Sequence, residues 1–127
     1  MKQYKSESLA RSFFYAFCGI KHTLISERNF KIHIVFTILA VFACIIFPVK
    51  AIHVFMIVYA IFFVLCMELI NTAVEAVIDM CCEKERRPLA KIAKDCCAGA
   101  VLLASVQAVI IGLYVAWYLI VYMQQLF

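Results

Sequence analysis

Three long stretches of this chain carry no charged side chain: Ile32 to Val49, Ala51 to Met67, and Cys96 to Phe127. Each is close to or beyond the ~17–20 residues that cross a hydrocarbon core, so each predicts one membrane span. Composition agrees. The chain is 67% hydrophobic with a mean hydropathy of +0.99, whereas soluble domains run at about 45–50% apolar. The pattern predicts an all-α membrane protein with one domain over residues 1–127. Its spans fall at about 30–47, 51–82 and 89–122. The first apolar run starts too late, and with no small-x-small site after it, to be a cleaved signal, so all three helices are expected to stay.

Ahead of the spans, residues 8–25 have a two-faced helical pattern. Phe13, Phe14, Ala16, Phe17, Ile20 and Leu24 share one side, and Arg11, Tyr15, Cys18 and His22 share the other. That division suits an amphipathic helix lying in the membrane interface. Ser26 is the expected N-cap of the helix that follows. Lys31 and His33 read as interfacial residues at the start of span one. Pro48 ends that span, because proline lacks a donor and restricts the residue before it. Trp117, Tyr118 and Tyr122 suit an aromatic belt at the far face.

Orientation follows the basic residues. Lys2, Lys5, Arg11, Lys21, Arg28 and Lys31 precede span one, and Lys84, Arg86, Arg87, Lys91 and Lys94 lie between spans two and three. The turn before span two holds Lys50 alone. The N-terminus and the 80–94 loop are therefore expected in the cytoplasm of a plasma-membrane protein, with the C-terminus outside. The net charge of +4 fits orientation and anionic headgroups. No soluble segment interleaves basic and aromatic residues, so no nucleic-acid partner is expected. Seven cysteines include the adjacent pairs Cys81–Cys82 and Cys96–Cys97 but no C-x-x-C. They read as small apolar packing residues.

Span two contains an anomaly. Glu68, Asn71, Glu75 and Asp79 are spaced 0, +3, +7 and +11, which places them within roughly an 80° arc of a helix. Counting about 20 residues from Ala51 sets the inner boundary of the hydrocarbon near Asn71. Glu68 then lies inside the membrane edge, while Glu75 and Asp79 project beyond it. A carboxylate at membrane depth is costly unless it faces a polar cavity or a partner. Span three opens with Lys91, Lys94 and Asp95 on one face at the same level. Ammonium groups opposite carboxylates suit an anionic ligand held partly through a divalent cation such as Mg²⁺, and Glu27 is a further carboxylate at that level. The alternative is structural, with these charges pairing across an oligomer. The glycine-rich phosphate motifs are absent, as are Ser–His–Asp and H-E-x-x-H sets.

Met67 to Glu75, read with Asp79, resembles the E-x-x-N-[ST]-A-x-E signature of the prokaryotic diacylglycerol kinase family. Ala90–Lys91–Ile92–Ala93–Lys94–Asp95 with Ala98–Gly99–Ala100–Val101–Leu102 is similar to that family's second block. Ser12 to Phe17, Glu27–Arg28–Asn29–Phe30 and Ile32–His33 look like its surface helix and first-span entry. The E-R-N-F and P-L-A-K-I-A-K-D wording resembles the branch of undecaprenol kinases. The resemblance implies a homotrimer with intersubunit sites that uses ATP and Mg²⁺ to phosphorylate a lipid alcohol, undecaprenol or alternatively diacylglycerol. By position it implies Glu68 as catalytic base, Asn71 as its support, and Glu27 and Glu75 as metal ligands. Tyr15, Glu85, Arg86, Arg87, Lys94 and Asp95 would meet the nucleotide, and Arg11 would help confine the lipid. Arg87 stands where the family usually has histidine. A channel or a non-enzymatic assembly subunit is the rival reading. Against a channel, span two is apolar upstream of Glu68 back to His53, so the polar stripe opens to one side only.

Overall fold

The computed structural model describes residues 8–82, 85 and 87–125, which form four helices: α1 Leu9–Ser26, α2 Arg28–Ile46, α3 Ala51–Cys81 and α4 Pro88–Gln124. The last three are long and apolar enough to cross a membrane, and a helix is the form in which an isolated segment satisfies its own backbone in lipid. Arg86 and Lys84 lie outside the described residues.

Local chemistry sets the breaks. Ser8 caps α1 by accepting from the Arg11 amide at 3.4 Å. Ser26, expected to cap α2, is instead the last residue of α1. Glu27 takes the extended N-cap conformation and makes no side-chain capping bond. The reason lies in the corner itself. Glu27 still donates its amide to the Thr23 carbonyl at 2.9 Å, so α1 runs on through Ser26. Lys31 Nζ then reaches back 2.8 Å to the Ile25 carbonyl, supplying a donor to an otherwise open helix end. Thr23 and Phe30 are buried in this corner. Phe47, extended before Pro48, closes α2. Pro88 opens α4 at its first turn, where no amide donor is needed.

α3 and α4 form the main pairing, an antiparallel hairpin. α2 packs on α3, and α1 packs on α2 and α3. Among the described residues, neither α1 nor α2 packs directly on α4. The hairpin seam uses small and β-branched side chains, Ala60 and Val64 against a face carrying Val101, Ala104 and Val115, all buried. Such residues let backbones approach where lipid and protein are equally apolar. Ala104 is 1% exposed. Replacing it with Leu is expected to overpack the seam and to cost about 1–3 kcal/mol, read as a lower thermal midpoint in detergent. An unchanged midpoint would show that the seam yields.

At the end of the hairpin away from its connecting loop, the His53 ring packs 4.2 Å from Tyr118 and 5.7 Å from Tyr114, centroid to centroid, and Tyr118 stacks on Tyr122. Lys50 Nζ sits 5.2 Å from the Tyr118 centroid, within cation–π range. Tyr118 and Tyr122 of the expected belt thus share one cluster, while Trp117 is exposed.

Because α2 and α4 stand apart, a cleft of about 550 Å³ opens between α2, α3 and α4. Its walls are almost wholly apolar. It runs from Val115 and Leu119 on α4 to His33 on α2.

Candidate functional site

α3 is 31 residues long, or about 46 Å at 1.5 Å per residue, so it outruns a hydrocarbon core of about 30 Å. Its first turns carry the His53 cluster, and the acidic stripe lies toward the opposite, Asp79 end. The acidic stripe there falls into two parts.

The first part centres on Glu68, which is 2% exposed. Its Oε1 lies 3.3 Å from His33 Nε2 on α2, close enough to pair but without a properly directed hydrogen bond. Thr72 Oγ1 donates to the Glu68 carbonyl at 3.0 Å, which braces the helix without touching the carboxyl group. Glu27, brought in by the α1–α2 corner, and Glu75 are near enough for their charges to act on Glu68. One turn along, Asn71 Nδ2 donates to Glu75 Oε1 at 3.2 Å, and Asn71 Oδ1 is buried with no donor. His33 reads as an interfacial residue from sequence alone, and the structure places it inward against the acid. The only hint available in sequence is that it shares the membrane edge with Glu68.

The donor set suits a hard cation. Two buried oxygens lack donors, and two further carboxylates stand by. Among the described residues, no three acidic, His or Cys groups form a closed metal cage. Mg²⁺ is commonly held by only one or two carboxylates, with phosphate oxygens and water completing the shell. Glu27 and Glu75 fit that role.

The second part is a cavity of about 800 Å³ at the loop end of the hairpin, lined by Asp79, Glu85, Arg87, Lys91, Lys94 and Asp95 among others. Sequence spacing puts Lys91, Lys94 and Asp95 on one face. The structure resolves them into separate pairs: Lys91 with Asp95 at 2.7 Å, and Lys94 across to Asp79 on α3. Arg87 pairs with Glu85 at 3.1 Å. These pairs are largely exposed, and such pairs contribute about 0–1 kcal/mol each, so a phosphate could take over a cation at little cost. The Glu75 charge also acts on Lys94, which links the two parts. Arg11 and Tyr15 lie on α1, and neither lines this cavity within one chain.

A model of the family described as prokaryotic diacylglycerol kinase matches residues 14–116, a stretch that takes in every site residue named here except Arg11. The chain is 41% identical over 105 residues to a diacylglycerol kinase of Synechocystis sp. That alignment covers 83% of this chain and 60% of the relative, so the chain spans about three fifths of that relative's length. It is 39% identical over 106 residues to an undecaprenol kinase of Bacillus subtilis, with 83% of this chain and 85% of the relative covered.

Proposed function

The chain belongs to the prokaryotic diacylglycerol kinase family, and on that premise we propose that it transfers the γ-phosphoryl group of ATP to a membrane lipid alcohol, undecaprenol in preference to diacylglycerol. The observation that carries this reading is a buried carboxylate, Glu68, with the charges of Glu27 and Glu75 acting on it and with His33, which lines one end of an apolar cleft, 3.3 Å from its Oε1. A lipid whose chain occupies the cleft brings its hydroxyl to the His33–Glu68 end.

In this mechanism Glu68 takes the proton of that hydroxyl as its oxygen attacks the γ-phosphorus. Phosphoryl transfer depends chiefly on alignment and charge neutralisation. Glu27 and Glu75 would hold Mg²⁺, which neutralises phosphate oxygens when bound. Lys94 leaves or shares Asp79 to meet the phosphates, and Asn71 keeps Glu75 in place. Glu85, Arg87 and Asp95 line the nucleotide's approach, and the family resemblance adds Arg86, which lies outside the described residues. Tyr15 and Arg11 serve from the surface helix α1, which lies in the interface. Within one chain α1 and α4 do not meet, and a homotrimer with sites between subunits would bring them together. The N-terminus and the 80–94 loop face the cytoplasm, where ATP is.

Undecaprenol is favoured by the E-R-N-F and P-L-A-K-I-A-K-D wording. Labelled ATP with purified protein in mixed micelles, supplied with either lipid, tests the assignment. Undecaprenol is expected to give the higher kcat/KM. A clear preference for diacylglycerol would reverse the acceptor, and no transfer to either would remove the kinase reading.

A further inference from the structure

A carboxylate that acts as a base must present one oxygen to its substrate. The terminal torsion of a glutamate is broad and roughly two-fold, so the group turns freely unless its other oxygen is held. In Glu68 the backbone is braced by Thr72, yet that contact leaves the carboxyl free to rotate. The group that meets Oε1 is the His33 imidazole, 3.3 Å away on a different helix. His33 also lines the inner end of the cleft between α2, α3 and α4. It therefore stands both beside the acid and at the point where an acceptor would arrive. The nearby acids Glu27 and Glu75 repel the Glu68 charge, whereas His33, 3.3 Å from Oε1, attracts it.

We propose that His33 is the positioning residue of the base: its Nε2–H holds Oε1 of Glu68 and so presents Oε2 to the acceptor hydroxyl at the end of the cleft. The inference rests on Glu68 being the base. In the step, Oε2 takes the hydroxyl proton and the lipid oxygen forms its bond to the γ-phosphorus. The bond from that phosphorus to the bridging oxygen breaks, and ADP leaves with the electron pair. His33 neither gains nor loses a proton. At 3.3 Å the contact is loose, and the geometry tightens when a substrate hydroxyl meets the opposite oxygen.

Two substitutions separate this role from bulk packing. His33→Gln keeps an amide donor near the position of Nε2, and His33→Leu keeps volume without a donor. With undecaprenol or diacylglycerol in mixed micelles and MgATP varied, the Leu variant is expected to lose about 10²-fold in kcat with its KM for MgATP unchanged. The Gln variant is expected to recover most of that loss. Parental kcat in the Leu variant overturns the proposal, as does equal loss in both variants or a loss confined to the KM for MgATP. The parallel Glu68→Gln variant tells the two failures apart. If it is inactive while His33→Leu is fully active, the base stands and the positioning role falls. If it is active, the base assignment falls and the role of His33 with it.

Discussion

Glu68→Gln is expected to lower ATP-dependent lipid phosphorylation by about 10²–10⁴-fold, the range that a positioned general base supplies. Glutamine is nearly isosteric and still accepts a hydrogen bond, so the contact with His33 on α2 can survive. What disappears is the ability to take a proton. Stability should move the other way. A charged acid near the centre of a spanning helix costs about 2.5–3.5 kcal/mol on insertion scales, and counting along α3 from Ala51 predicts Glu68 about a turn from the edge of the hydrocarbon, where that cost is partly relieved. Burial without a directed hydrogen bond retains some of it, so the amide variant should unfold at a temperature no lower than the parent's. Loss of activity with equal or greater stability is the signature of a residue kept for function. The paired measurement is labelled-phosphate transfer and thermal unfolding of the same detergent preparation. Near-parental turnover would remove the base assignment.

Lys94→Met is expected to lower kcat/KM for MgATP by about 10²–10³-fold, comparable to deleting a donor aimed at developing charge. Met preserves the apolar stem and removes the ammonium. The partner left behind, Asp79, is 48% exposed, so water can solvate it, and the change in stability should stay within about 1 kcal/mol. Asp79→Asn frees Lys94 from its pair and is expected to affect ATP saturation less than Lys94→Met does. An unaltered saturation curve in the Lys94 variant would place the phosphates elsewhere. A large loss of stability would make the pair structural.

The spans were legible because transfer from water to hydrocarbon adds up residue by residue. Expected spans at 30–47, 51–82 and 89–122 correspond to Arg28–Ile46, Ala51–Cys81 and Pro88–Gln124. The α1–α2 corner was less legible. Ser26 and Glu27 are both polar, and which one adopts the extended cap depends on how far the Thr23 carbonyl can still draw in an amide. The basic cluster was legible as a face and not as a set of pairs. Lys91 finds Asp95 one turn along its own helix, whereas only the approach of α4 to α3 gives Lys94 its partner Asp79.

The sequence by itself determined three long apolar helices, their approximate lengths and the alignment of the acidic stripe, since helical periodicity and hydrophobic patterning are properties of the chain alone. It could not say what Glu68 faces. α2 is apolar on nearly every side, and hydrocarbon is as good a neighbour as protein, so no pattern of polarity sets its rotation about its own axis. That rotation was decided by packing against α3, with Phe30 buried at the corner, and it turned His33 from an interfacial side chain into the neighbour of the buried acid.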